Sequence, residues 1–224
     1  MAANLLQRSL LEGGGTALLG FTIARASHGG LDAFQQAWLI GLTVCLLIHT
    51  CGRFSGAHFN PAVTLLLHHQ RYGWRGLVTG EGARETLAYG LAQILGAVLA
   101  FRLDPWGPPV GQAFTAAAFV PELVFSAILL ALIQAWSREG RLCPFAQPLA
   151  GVVLGSGLVV LVLLGGLTGS GLYNPAIALA MSWIRGIGGV WPLIGAQLLA
   201  VVVLIVLGPL FRLEAEGASR PDSR

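Results

Sequence analysis

The tripeptide Asn-Pro-Ala stands twice in this chain, at Asn60-Pro61-Ala62 and again at Asn174-Pro175-Ala176. Proline has no backbone N–H and a fixed φ, so it is well tolerated at the first position of a helix. Asparagine directly before it is a strong N-cap, because its side chain accepts a hydrogen bond from an early helical N–H. Each triplet therefore predicts a helix start. The segment after each triplet is short: Pro61 to His69 runs into the polar stretch His68-His69-Gln70-Arg71, and Pro175 to Ile184 meets Arg185-Gly186. Neither segment reaches the roughly 20 residues that a helix needs to cross a bilayer.

Composition is the reason to consider a bilayer. The chain is 55% hydrophobic and only 10% charged, with a mean hydropathy of +0.74. That is more apolar surface than a water-soluble fold can bury, so the excess must face lipid. Stretches of spanning length lie at about 5–24, 34–51, 84–102, 117–136, 147–166 and 190–211. They leave little else, which predicts one all-α membrane domain over 1–224 with a polar cytoplasmic tail at 212–224.

The two halves, about 1–105 and 110–211, echo each other. Glu12-x-x-x-Thr16 in the first span matches Glu122-x-x-x-Ser126 in the fourth, and each triplet comes after one further span. Gln93-Ile94-Leu95-Gly96-Ala97 resembles Pro192-Leu193-Ile194-Gly195-Ala196. With three spans per half, the second copy must enter from the opposite side. Such an inverted 3+3 repeat places a site at the midplane between the halves. The short segments then become two re-entrant half-helices that meet there. Their lead-ins, 52–59 and 165–173, are rich in glycine, and irregular backbone at that depth requires burial in protein or contact with water. Gly52-x-x-x-Gly56 and Gly151-x-x-x-Gly155 further suggest close helix–helix approach.

All 13 basic residues are arginine. Arg8, Arg71, Arg75, Arg84, Arg138, Arg141, Arg212, Arg220 and Arg224 fall on one side of this topology, against Arg25, Arg102 and Arg185 on the other. The positive-inside rule puts both termini in the cytoplasm, and the arginine-only usage suggests a bacterial inner (plasma) membrane. The arginines stand singly, which excludes a nucleic-acid footprint. Cys45, Cys51 and Cys143 lack metal-ligand spacing and read as small buried hydrophobes. Adjacent His68 and His69 point apart on a helix and predict no metal site. Trp74, Trp106, Trp136, Trp183 and Trp191 lie near span ends, as an interfacial belt would. Glu12 and Gly13-Gly14-Gly15 interrupt the first apolar run, so it reads as a span rather than a cleaved signal. No nucleophile–base pair, metal cluster or phosphate loop is visible, which argues against an enzyme and implies no cofactor.

The run Ser55-Gly56-Ala57-His58-Phe59-Asn60-Pro61-Ala62-Val63-Thr64 resembles the first signature of the aquaporin (major intrinsic protein) family, and nearly the whole chain has that family's layout. The resemblance implies an aquaporin-like fold, a homotetramer with one pore per subunit, and passage of water and small neutral solutes. It implies that Asn60, Pro61, Ala62, Asn174, Pro175 and Ala176 form the pore centre. Glu12 and Glu122 would accept hydrogen bonds from the re-entrant backbones, a proton relay being the other reading for ionisable groups inside spans. His58 would face the cytoplasmic mouth, either as a pH-sensing group or simply hydrogen-bonded within its loop.

The pattern also departs from the family's. An arginine usually stands directly after the second triplet; here that residue is Ile177. Family spacing puts the remaining filter positions at Ile40, near Val162 and at Gly171. The second lead-in fits that spacing only with a one-residue slip. The run Asn174-Pro175-Ala176-Ile177-Ala178-Leu179 is more similar to the unorthodox branch of the family. An apolar filter without arginine leaves three readings open: a water channel, a channel for a larger neutral solute such as glycerol, ammonia or hydrogen peroxide, and a poorly conducting structural or junctional tetramer.

Overall fold

The computed structural model describes residues 3–104, 113–137 and 149–208. These form helices α1 (Leu5–Ala26), α2 (Ala33–Ser55), α3 (Pro61–Val78), α4 (Gly80–Leu103), α5 (Phe119–Ser137), α6 (Ala150–Thr168), α7 (Pro175–Arg185) and α8 (Val190–Leu207), with a 3-10 turn at Ala116–Ala118 before α5. No strand occurs among the described residues. Arg138, Arg141, Cys143, Trp106 and the tail 212–224 lie outside them.

Local chemistry sets the helix starts. Asn4 accepts from the Gln7 N–H at 2.9 Å while the Gln7 side chain accepts from the Asn4 N–H at 2.9 Å. Asp32 and Gln35 repeat this reciprocal cap at the start of α2, satisfying N–H groups that lipid would leave orphaned. Helices α2, α4, α5, α6 and α8 are long and apolar enough to cross a bilayer. Helix α1 has the length, 22 residues, but carries Arg8, Glu12 and Arg25. Its place is set by packing against α2 and α4.

The pairings obey the inverted repeat. Half-helix α3 packs on α4 of its own half and α8 of the other, and α7 packs on α8 and α4 in the same way. Across the halves, α2 lies along α6 through small residues. A Cβ on Gly41 would sit 2.6 Å from the Gly155 carbonyl oxygen, and one on Gly155 would sit 2.5 Å from that of Gly41. Gly151 is likewise closed in by His49. Gly52 is different: it has no neighbouring helix at contact distance, and Gly56 (φ 93°) is the left-handed cap of α2. The Gly52-x-x-x-Gly56 spacing therefore ends a helix instead of joining two.

Several boundaries differ from expectation. Helix α2 continues through Gly52-Arg53-Phe54-Ser55 and α6 through Thr168, so the irregular lead-ins shrink to 56–59 and 169–173. Continuing the helix keeps backbone groups paired where water is scarce. The polar run 68–71 also stays helical. His68 is buried there with its Nδ1 2.7 Å from Thr86 Oγ1, and helix α3 breaks only at Gly73 (φ 67°). His69 meets Trp74 instead, with ring centroids 4.6 Å apart. Cys45 and Cys51 are half-buried, not buried. Trp74, Trp183 and Trp191 are exposed, but Trp136 lines an internal cavity.

The α2–α6 seam tolerates no side chain at Gly41. Replacing it with leucine is expected to cost about 1–3 kcal/mol by overpacking, seen as a lower unfolding temperature in detergent. Leucine at Gly195, which has open space around it, should leave that temperature unchanged.

Candidate functional site: the paired half-helix starts

Asn60 and Asn174 take identical roles at the starts of α3 and α7. Each is extended (φ −156° and −147°), and its Oδ1 accepts from the N–H two residues on, at 2.9 Å for Ala62 and 3.0 Å for Ala176. Each Nδ2 then crosses to the other loop. Asn60 Nδ2 donates to the Tyr173 carbonyl at 2.7 Å, and Asn174 Nδ2 donates to the Phe59 carbonyl at 2.9 Å. The two half-helices are thus tied tip to tip. An amide NH2 has two hydrogens, so each asparagine retains a second donor beyond this tie.

The carbonyls they use are aimed by unusual backbone. Phe59 and Tyr173 adopt φ of 50° and 48°, a left-handed conformation that costs non-glycine residues about 1–2 kcal/mol. Buried carboxylates hold it in place. Glu12 Oε1 accepts from His58 N–H (3.1 Å) and Ser55 Oγ (2.6 Å), while its Oε2 accepts from Phe59 N–H (2.6 Å) and Gln93 Nε2 (2.9 Å). Glu122 repeats the arrangement. Its Oε2 accepts from Gly171 and Leu172 N–H at 2.8 and 3.3 Å, and its Oε1 from Tyr173 N–H at 2.6 Å and Gln197 Nε2 at 2.7 Å. Both glutamates are fully buried, where an acceptor-only group facing only donors is well matched.

Gln93 and Gln197 take the same role, each donating to the buried glutamate of its own half. Four residues separate Ser55 from Asn60, but five separate Thr168 from Asn174. Glu122 takes three backbone N–H groups against two on Glu12, because the Ala57 N–H, three residues before Asn60, turns to Ser55 Oγ at 3.2 Å while Gly171, three before Asn174, turns to Glu122. Sequence reasoning missed the roles of Gln93, Gln197, Tyr89 and Tyr173. The Tyr89 hydroxyl donates to the Ser55 carbonyl and that of Tyr173 to the Leu161 carbonyl, each at 2.7 Å.

A cavity of about 1770 Å³ passes both asparagines. Ile40, Val162, Gly171, Ile177 and His58 all line it. Ile177 is buried against Ala24, Ala97 and Phe101, so α1 and α4 back it from behind. His58 lines the cavity and also keeps its Nδ1 3.2 Å from Thr64 Oγ1. At the far end of α7, Arg185 and Arg25 both pair with Asp104, whose side chain is fully buried (Nη2–Oδ2 3.0 Å and Nη1–Oδ1 3.3 Å).

The sequence profile of the Major intrinsic protein family matches residues 10–204. The chain belongs to this family. It is 29% identical to Nodulin-26 of Glycine max over 88% of this chain and 76% of that protein. It is 30% identical to Aquaporin NIP1-1 of Zea mays (83% and 67%) and 31% identical to the Probable aquaporin AqpM of Archaeoglobus fulgidus (70% and 65%). None of these names is from the unorthodox branch that the second triplet resembles. Members of the family are channels, not enzymes.

The carboxylates are open to test. Glu12→Gln places an amide donor among four donors, leaving at least one buried group unsatisfied at about 1–3 kcal/mol. Amide exchange at 56–60 should accelerate on the order of tenfold or more, with 169–174 little changed; Glu122→Gln should give the mirror pattern. Equal exchange in both loops for either variant would contradict the pairing.

Proposed function

We propose that this protein is a passive channel for water and small uncharged solutes, with its narrowest chemistry at Asn60 and Asn174. The reading is carried by the reciprocal tie of the two asparagines beside one cavity. Each has a second N–H left for a solute oxygen. A water that accepts both cannot at the same time accept from its neighbour in a file, and this interrupts proton hopping. Each half-helix start also carries roughly +0.5 charge. Two such charges at about 5 Å, with an effective dielectric near 20, oppose a cation by about 3 kcal/mol. A neutral molecule meets no such net repulsion.

Ile40, Val162, Gly171 and Ile177 form the outer constriction in this account. It has no charge and no side-chain donor, which favours a second reading in which neutral solutes larger than water also pass. Solute choice would then rest on width and dewetting. Both termini in the cytoplasm, a bacterial inner membrane and a homotetrameric assembly complete the proposal, supported by the arginine distribution and by family membership.

Reconstituted vesicles shocked with sucrose and with glycerol test the account. Shrinkage in sucrose should be several-fold faster than in empty vesicles, and re-swelling in glycerol marks the wider solute range. Water flux equal to that of empty vesicles would support a structural role instead. Ile177→Arg should lower both glycerol and proton flux on the order of tenfold; unchanged fluxes would remove Ile177 from the filter.

A further inference from the structure

The residues Ile40, Val162, Gly171 and Ile177 carry no charge, yet the cavity is not free of charge. Arg53 and Arg71 line it, near the end of α2 and on α3 before its break. Helix α2 runs back toward the side where α1 begins, and α3 returns to that side, so both arginines stand at one mouth, the inner one. Among the described residues lining the cavity there is no aspartate or glutamate.

Neither guanidinium forms a salt bridge with an acid among the described residues. Arg53 Cζ lies 4.4 Å from the Phe54 ring centroid, and Arg71 Cζ lies 5.0 Å from that of Tyr72. Stacking on a ring restrains a cation without cancelling its charge. The neighbouring acids have other partners: Glu85 takes Arg8 and the Tyr72 hydroxyl as its direct contacts, with Arg71 acting on it only through space, and Glu12 takes the first loop. The opposite mouth differs. There Arg25 and Arg185 converge on buried Asp104, and neither lines the cavity.

From this placement we infer that Arg53 and Arg71 are the charge filter of the pore, set at its inner mouth in place of an outer arginine. The inference rests on the channel reading. An arginine that merely obeys the positive-inside rule or complements a helix C-terminus needs no place on the lumen; these two have one. Their field concentrates in a low-dielectric funnel and lowers the local concentration of cations while leaving neutral solutes unaffected.

The test compares sodium leak with water flux in the same vesicles. For Arg53→Gln or Arg71→Gln the sodium-to-water ratio at about 10 mM salt should rise about fivefold. For the double variant the rise should be about twentyfold, as for unit charges about 8 Å from the ion in a half-aqueous mouth. Arg53→Lys and Arg71→Lys should restore the low ratio. In the unaltered protein the ratio should climb toward that of the double variant at about 0.5 M salt, where screening shortens the field to a few ångströms. Double-variant vesicles should show no such salt dependence. An unchanged ratio with water flux intact would overturn the charge filter alone. A salt-independent ratio in the unaltered protein would do the same even if the glutamine variants failed to fold. No water flux in the unaltered protein would remove the channel reading and this inference with it.

Discussion

Two side-chain amides hold the centre of this molecule. Asn60 reaches the carbonyl before Asn174, and Asn174 reaches the carbonyl before Asn60. Each bond is worth only about 1 kcal/mol net in an ordinary setting. Their leverage comes from position, since each half-helix start would otherwise end in unpaired backbone inside the membrane. The tie fixes the distance between the two positive helix tips. It also fixes where the remaining amide hydrogens point.

Everything around the tie serves to hold it. Phe59 and Tyr173 occupy a conformation that side chains disfavour, and buried glutamates from α1 and α5 collect the N–H groups of those turns. Glutamines from α4 and α8 hold the glutamates in turn. Such over-determination is how backbone strain persists at functional sites. The two halves are alike in this scaffold and differ in charge. On one side Arg25 and Arg185 are bound to buried Asp104; on the other side Arg53 and Arg71 stack on aromatic rings and line the cavity.

Much of this was legible in the sequence because it rests on local rules. Proline after asparagine dictates a helix start wherever it stands, and Glu12 and Glu122 announce themselves by sitting in apolar spans. Boundaries were less legible: Gly52 to Ser55 look like a loop, yet the membrane's demand for paired backbone keeps them helical. The partners of the glutamates were hidden for another reason. Gln93 and Gln197 lie far along the chain from the glutamates they hold. Gly41 carries no local signal either, since its role appears only when α6 lies against it. The turn before Asn174 is one residue longer than its twin before Asn60, which spacing alone shows only as a slip.

The most direct measurement is the distance from the Asn60 side-chain nitrogen to the Tyr173 carbonyl carbon, by solid-state magnetic resonance on labelled protein in lipid. The account predicts less than about 4 Å, as a hydrogen bond to that carbonyl requires, with a matching value from Asn174 to Phe59. Separations beyond about 6 Å in either pair would mean that the half-helices do not meet, and would contradict the account at its root.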